Sequence, residues 1–460
     1  MKKKKEYILN IVYYSILCIF LLFGILNREL GNMDELWNFL SAKNIINGLL
    51  PYKDFNVIVT PFSMFVNSLF LHINPNLFTF RIIYFVWYLI LIIILNKIMD
   101  VLSIKGLLKY FVLSVIMGGL LIACYYDYNF IQLVFILLLI YLSLKNKDYS
   151  NKRFNIFIPL IAGFTIINKQ STGVVICLIT LLLLIINNHK NLKLLFSYSF
   201  IMLIPSLLFF IYLLISKSLF DFYDLCILGL FTFSNGLVVR SCIVYLIINY
   251  IVMILLFRRN KNRESIILFC YAIASLSVII PIVDFHHSAL AIIVAIIFFA
   301  YIINHKIRIP KDDYSSSFII IIVIIILSSF SIHLYFHTPR FKSGVYKNIP
   351  VDIQFEENIK NVSNYVLNQS KDHNVIIMDF YAPVYDLNMN RYEKYFDLFD
   401  NGNFGLYGKK EMYSVIKQKN NIILIDNHFI HWQRPDDIIN YVKEKYDKCG
   451  SIEQFDVYCN

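Results

Sequence analysis

Charge is scarce in this sequence. Only 16% of its 460 residues are Asp, Glu, Lys or Arg, whereas soluble domains carry about 25%. In their place 58% are hydrophobic and 16% aromatic, with mean hydropathy +0.62. A globular core cannot absorb that excess, and the apolar residues stand in long runs rather than at period 2 or 3.6. A soluble enzyme and a disordered chain are therefore excluded. Metal-ligand spacing is missing too: the eight cysteines include no C-x-x-C and no Cys/His set, so nothing indicates structural zinc. Cys18, Cys124, Cys177, Cys242 and Cys270 lie inside apolar runs and behave as small hydrophobes, which sets aside a secreted disulfide scaffold. Cys449 and Cys459 stand in a polar tail, where they could close a small loop if the tail faces an oxidising compartment. No internal repeat is visible. The first apolar segment has no small-residue cleavage site and reads as an anchor.

What is present is a series of runs near the ~20 residues needed to cross a bilayer. Spans are expected at 7–26, 77–98, 106–126, 128–144, 154–168, 172–187, 194–215, 239–257, 264–282, 288–304 and 316–336. Residues 57–73 (VIVTPFSMFVNSLFLHI) form one further apolar stretch, and whether it crosses decides the topology downstream. Lys2 to Lys5 place the N-terminus inside, because short cytoplasmic loops carry the Lys/Arg excess. Later basic clusters are Lys97/Lys105/Lys109, Lys145/Lys147/Lys152/Arg153, Lys190/Lys193, Arg258/Arg259/Lys261/Arg263 and Lys306/Arg308/Lys311. All five fall inside only if 57–73 does not cross. That stretch is accordingly read as an interfacial or re-entrant helix on the outer face, in keeping with its shortness and with Pro61.

The expected architecture is a polytopic α-helical membrane protein of about eleven spans, N-terminus inside, with a C-terminal extracytoplasmic α/β domain. Residues 1–336 form the transmembrane part, including a first outer loop at 27–76; a second outer loop falls at 216–238, and the tail runs from 337 to 460. In the tail, amphipathic helix patterns at 352–369, 409–418 and 436–446 alternate with the apolar runs NVIIMDF (374–380) and NIILID (421–426), as buried strands do.

The first outer loop carries the most chemistry. Asp34-Glu35 opens a helical pattern (Leu36, Phe39, Leu40, Ile46) that stops at Gly48. The bland reading makes Asp34 an N-cap and places Glu35 at the favourable end of the dipole. Successive helical residues point about 100° apart, so the two carboxylates cannot do the same job. Further polar groups fall in expected outer turns: Asp127 in Tyr126-Asp127-Tyr128-Asn129, Asp284 with His286 and His287, and Lys169 in Asn168-Lys169-Gln170. Arg81 lies one turn into the second span. Each taken singly is a turn or snorkelling residue, a reading that suffices for Arg240 and Lys217. Gathered at one membrane face the rest are harder to dismiss, since charges in or beside spans are costly, about 2.5–3.5 kcal/mol at the bilayer centre, and by default mark a site. Acids and bases together suit a reaction on a phosphate-linked lipid.

In order and placement these pieces resemble the GT-C membrane glycosyltransferases, which include protein O-mannosyltransferases and lipid A aminoarabinose transferases. The matching residues are Asp34-Glu35 after the first span and Gly48-Leu49-Leu50-Pro51-Tyr52-Lys53-Asp54-Phe55 before a Pro-led interfacial helix. Arg81, Asp127, Lys169 and Asp284-x-x-His287 also match, over roughly residues 7 to 300. The resemblance implies an inverting transfer from a polyprenyl-phosphate sugar to an acceptor on the outer face. It puts the catalytic general base on Asp34, with Glu35 in support. Asp127 falls at a second acidic position near the acceptor or a divalent metal. Arg81, Lys169, His286 and His287 become candidates for the leaving phosphate, Tyr52 and Lys53 for the donor pocket, and Asp284 for support. No nucleotide or organic cofactor is implied. The doubled histidine departs from the pattern, and the sequence does not choose between the rings.

Two other classes compete. A transporter or lipid-linked glycan flippase would set its charges near the bilayer midplane in related repeats, and a polysaccharide polymerase would carry its main site in a large central outer loop. The formal charge of +11 divides by topology: the cytoplasmic segments hold twenty Lys and Arg against six acids, while the outer loops and tail are slightly acidic. The basic balance is an orientation signal and implies no nucleic-acid partner. The expected partners are the lipid-linked donor, membrane lipid, and a cell-surface glycan, lipid or protein acceptor, at a bacterial cytoplasmic membrane.

Overall fold

A computed structural model of the chain describes residues 2–147, 149, 151–188, 191–229, 238–306, 314–392, 394, 405, 407–426 and 434–460. Lys190, Arg308 and Lys311 of the basic clusters, and part of the 216–238 loop, lie outside the described residues. In chain order the helices are α1 (Lys2–Leu26), α2 (Met33–Ile46), α3 (Phe62–Leu71), α4 (Leu77–Val101), α5 (Gly106–Ala123), α6 (Tyr128–Lys145), α7 (Phe154–Asn168) and α8 (Gln170–Asn188). They continue with α9 (Leu192–Ser216), α10 (Leu219–Phe222), α11 (Arg240–Arg258), α12 (Arg263–Ser275), α13 (Phe285–Lys306), α14 (Tyr314–His337) and α15 (Ile353–Gln369). The tail adds β1 (Asn374–Met378), α16 (Ala382–Met389), α17 (Gly408–Ile416), β2 (Asn421–Asp426), α18 (Asp436–Lys445), β3 (Asp447–Ile452) and β4 (Phe455–Cys459).

Nine of the described helices are long and apolar enough to cross a membrane: α1, α4, α5, α6, α8, α9, α11, α13 and α14. Two of the eleven expected spans are shorter, α7 with 15 residues and α12 with 13. At 1.5 Å per residue they are about 23 and 20 Å long against about 27 Å for α6, but the segments that contain them touch α6 at both of its ends. At one end of α6, Asn146 donates to Asn155 beside the start of α7 (2.8 Å), and Arg263 at the start of α12 donates to the Leu144 carbonyl (3.2 Å). At the other end Lys169, just past α7, reaches both Asn129 at the start of α6 and the Val278 carbonyl beyond α12. The shortening has a local cause: the helices stop early so that polar residues can turn inward, Lys169 in an extended conformation and residues 276–279 as a 3-10 turn.

The described residues fall into two compact units. The first comprises residues 1–28, 81–209 and 238–338 and holds the long helices. Within lipid there is no hydrophobic drive between helices, so close van der Waals approach and interhelical hydrogen bonds must hold them together. Glycines supply the approach where α7 meets its neighbours. A Cβ added at Gly173 would stand 2.4 Å from the Ile166 Cα, and one at Gly163 would stand 2.2 Å from the Met202 carbonyl oxygen. Tyr250 of α11 supplies the hydrogen bonds at another crossing, donating toward the carbonyls of Ala272 (2.8 Å) and Ala291 (3.0 Å). Helix α13 is the most enclosed of the long helices.

The second unit comprises residues 29–80, 210–237 and 339–460, so the first outer loop and the tail belong together. The tail is the expected α/β domain. Its sheet has the order β1-β2-β4-β3, with β1 parallel to β2 and the rest antiparallel. One face buries Ile376, Met378, Ile423 and Ile425 against Met412, Ile416, Ile438, Ile439 and Val442 from α17 and α18. The apolar runs at 374–380 and 421–426 become β1 and β2 as expected, and three helices fall where the amphipathic patterns put them. The β3–β4 hairpin was not legible: β3 (DKCGSI) is an exposed edge strand without apolar alternation. Cys449 and Cys459 are joined across this hairpin in a disulfide, with Cα atoms 6.0 Å apart. The stretch 57–73 contains only the ten-residue α3, about 15 Å long and too short to cross. Leu69, Phe70 and Ile73 at its end are exposed.

Candidate functional site

In the first unit, five of the residues singled out from sequence come together in one buried hydrogen-bonded cluster. Asp127 is the N-cap of α6, its Oδ1 accepting from the Phe130 amide at 2.9 Å. Asp284 precedes α13 and caps it in the same way, accepting from the His287 amide at 2.8 Å. Capping consumes part of each carboxylate, as such residues do at helix starts. Each carboxylate also meets a histidine: His286 Nε2 stands 3.1 Å from Asp127 Oδ2, and His287 Nδ1 stands 2.8 Å from Asp284 Oδ1, the oxygen that caps the helix. A carboxylate only accepts, so each of those ring nitrogens carries the proton. Burial alone would raise the Asp127 carboxyl, but His286 and the Phe130 amide hold it below its ordinary value. Asp284 is likewise raised by burial and brought below its ordinary value by His287.

Asn129, the second residue of α6, ties these groups together. Its Nδ2 donates to Asp127 Oδ2 (2.5 Å) and faces His287 Nε2 (3.4 Å), while its Oδ1 accepts from Lys169 Nζ at 2.9 Å. Only one orientation of the amide satisfies an ammonium on one side and a carboxylate on the other. Lys169 donates a second bond to the Val278 carbonyl at 2.9 Å. Below this layer Asn168 donates to Gln132 Oε1 and to the Tyr128 carbonyl. Arg81 is fully buried elsewhere in the same unit, with Nη1 on the Arg28 carbonyl. Arg28 in turn lies over the rings of Tyr84 and Tyr125, 5.5 and 4.7 Å from their centroids, at distances suited to cation–π attraction.

Asp34, Glu35, Tyr52 and Lys53 belong to the second unit. Helix α2 starts two residues earlier than a cap at Asp34 would place it. Asn32 is its cap, accepting from the Glu35 amide at 2.9 Å, so Asp34 is not the N-cap. The correction has a simple cause: Asn and Asp cap about equally well, and Asn32 sits three residues before an N–H that needs a partner. Asp34 is half-buried in the first helical turn and Glu35 is buried beside it. The helix stops at Asn47, and Gly48 (φ +86°) turns the chain out, as Gly does cheaply. In the turn that follows, Tyr52 is fully buried, with its hydroxyl on the Val59 carbonyl at 2.8 Å and its ring against Phe222; Lys53 is exposed.

No family model matches the sequence, and no curated protein matches it. Solved structures do match. ArnT from Cupriavidus metallidurans bound to undecaprenyl phosphate aligns over 97% of this chain and 97% of its own, with TM-score 0.59 and 9% identity. ArnT from the same organism in the apo state aligns over 99% and 98%, with TM-score 0.57 and 9% identity. The chain has the GT-C-like fold of the membrane glycosyltransferases.

On this GT-C fold the sequence-derived residues divide as described: Asp127, Lys169, Asp284, His286 and His287 join one network, and Arg81 is in the same unit with Arg28. Asn129 and Arg28 were missed from sequence. Both were in view, in YDYN and NREL, but a neutral amide and a single post-span arginine carry no signal until their partners are placed. A metal has little to bind in the cluster. Among the described residues no three His, Cys, Asp or Glu side chains converge on one point, and the Asp127 carboxylate is already met by three donors. The network holds charge and fixes orientation through hydrogen bonds.

Proposed function

We propose that the chain is an inverting glycosyltransferase that moves a sugar from a polyprenyl-phosphate carrier to an acceptor hydroxyl at the outer face of the membrane. The observation that carries this is the end-to-end likeness of its fold to an enzyme solved with undecaprenyl phosphate bound. An apolar groove in the first unit supports it. The groove has a volume of about 470 Å³ and lies between α5, α11 and α13, lined by Ile116, Leu120, Tyr245, Phe285, Ile292 and Ile296 among others. Such a channel suits a prenyl chain, and its Ala123 and Phe285 ends are chain neighbours of Cys124 and His286, next to the polar cluster.

In the proposed step Asp34 removes the acceptor proton and Glu35 supports it. The acceptor oxygen then attacks the anomeric carbon from the face opposite the carrier. The bond from that carbon to the phosphate oxygen breaks, its electron pair leaves with the phosphate, and free polyprenyl phosphate is the second product. Cations stabilise the departing charge; Arg81 and Lys169 are assigned that task, together with one ring of the His286–His287 doublet. Asp127 and Asp284 orient the histidines, and Tyr52 and Lys53 shape the donor side. A base within hydrogen-bond reach contributes about 10²–10⁴-fold, and a lipid phosphate is already a fair leaving group, so positioning supplies the rest. The tail disulfide fits an oxidising outer compartment.

The test is an assay of purified protein with polyprenyl-phosphate sugars and cell-envelope acceptors. Stoichiometric release of free polyprenyl phosphate is the expected result. Movement of intact carrier across vesicle bilayers without such release would establish a flippase instead.

A further inference from the structure

His286 and His287 are adjacent in sequence, yet their rings are committed to different degrees. Both nitrogens of His287 have partners: Nδ1–H is held by Asp284 Oδ1 at 2.8 Å and Nε2 faces the Asn129 amide at 3.4 Å. His286 gives Nε2–H to Asp127 Oδ2 and has the Cys124 thiol close to its ring, but its Nδ1 is buried and has no hydrogen-bond partner of ordinary geometry. Buried polar atoms without partners are rare, and each calls for an account. A structural histidine would have both nitrogens met, as His287 does. Successive positions on α13 point about 100° apart, so the two rings cannot serve one contact together.

The surroundings say what kind of group would meet Nδ1. Asp127 fixes the His286 ring from one side, in the way a carboxylate orients a histidine for work at its other nitrogen. With a second proton the ring becomes an imidazolium, balanced by Asp127 and left with one N–H to give. That N–H stands at the start of a 22-residue helix, the end that favours anions. The apolar groove begins on the same helix, at Phe285, Ser288, Ala289 and Ile292. Ser288 Oγ, which lines that groove, is also buried and without a partner. An anion joined to a long apolar chain satisfies both features at once.

We infer that His286, through Nδ1–H, contacts a phosphate oxygen of the lipid carrier, whereas His287, bracketed by Asp284 and Asn129, positions the network and does not touch substrate. This rests on the proposed transfer from a polyprenyl phosphate and specifies which ring serves it.

The experiment compares binding of decaprenyl phosphate and decaprenol to the purified full-length protein in detergent. The two probes share a chain and differ in the phosphate, so a general folding defect weakens both together. In His286→Gln the amide still faces Asp127 but offers nothing at the Nδ1 position, and the preference for the phosphate should fall by about tenfold or more, the usual weight of a hydrogen bond to a charged group. His286→Asn, which places an amide near the Nδ1 position, should recover part of that preference. His287→Gln should melt at lower temperature yet keep the preference within about twofold. Undiminished preference in His286→Gln, or loss in His287→Gln in its place, would overturn the assignment. A wild-type protein that binds both probes equally would overturn the carrier reading itself and this contact with it. Loss of transfer in Asp34→Asn with intact phosphate preference leaves the contact standing.

Discussion

Lys43 on α2 donates its ammonium to the backbone carbonyl of Leu387 on α16, at 3.3 Å and largely out of solvent. A residue of the first outer loop thus supports a helix 344 positions later in the chain. The edge-to-face packing of Trp37 on Phe380 and the bond from the Leu77 amide to the Val345 carbonyl join the same parts. The Asp34 helix is therefore held by the tail. Burial lowers the Lys43 amine below its ordinary value, so its charge is disfavoured there, and the Asn390 amide also serves the Leu387 carbonyl. Lys43→Met should consequently cost no more than about 1 kcal/mol. Lys43→Glu buries a carboxylate against a carbonyl and should cost more than about 3 kcal/mol. Thermal unfolding and protease resistance of the tail in the two variants check this.

Asp34→Asn should abolish transfer, by about 10²-fold at least, while leaving the protein folded and inserted, because Asn32 and not Asp34 caps α2. Turnover with a polyprenyl-phosphate sugar and a melting curve on the same preparation make the check. Near-wild-type activity would remove Asp34 from the base position. Asp127→Asn and Lys169→Ala should reduce turnover and also lower the melting temperature, since both break the buried network.

Gly173 and Gly118 should respond in opposite ways to the same added methyl. At Gly173 a Cβ collides with the backbone of Ile166, so Gly173→Ala forces α7 and α8 apart and should destabilise by about 1–3 kcal/mol. At Gly118 a Cβ meets nothing within 4 Å, and Gly118→Ala should be neutral or slightly stabilising through helix propensity. Equal melting temperatures for the two variants would contradict the close crossing.

Asp379 follows β1 directly and Asp426 closes β2, in adjacent parallel strands paired at Met378 and Ile425. Burial, and then the Asp426 charge, push the Asp379 carboxyl up to about 7. Unfolded, it titrates near the usual value of about 3.9. Between about pH 4 and pH 7 the folded state thus binds the extra proton, and stability falls as pH rises through that window. The protein should melt at higher temperature at pH 5 than at pH 8. Asp379→Asn should flatten that dependence, and Asp426→Asn should weaken it. A melting temperature that climbs from pH 5 to pH 8 would contradict the assignment.

Sequence patterns reached as far as their physics allowed. Long apolar runs specify membrane helices almost by length alone, and α4, α6 and α13 came out close to where they were placed. The alternation of amphipathic helices with apolar runs gave β1 and β2. The β3–β4 hairpin escaped because an exposed edge strand needs no apolar pattern, and its one chemical marker was the cysteine pair. In the cluster, the sequence supplied Asp127, Lys169 and the His286–His287 doublet but not their pairing. That pairing depends on which helix starts converge, a property of tertiary packing. Asn129 shows the limit plainly: its role lies in having both donors and an acceptor at one point in space.

The second unit draws its first stretch from residues 29–80 and its last from 339–460, with the whole of 81–209 synthesised between them. Chains elongate at about 5–20 residues per second, so the loop bearing Asp34 leaves the ribosome roughly 17–70 s before the part of the tail that will pack against Lys43 and Trp37. Through that interval the Asp34 helix has none of its tail contacts. Completion of the proposed catalytic base is in this sense a late event of biogenesis, gated by translation of the C-terminal residues, and a ribosome that stops short of them releases a membrane-inserted chain whose Asp34 helix is unsupported.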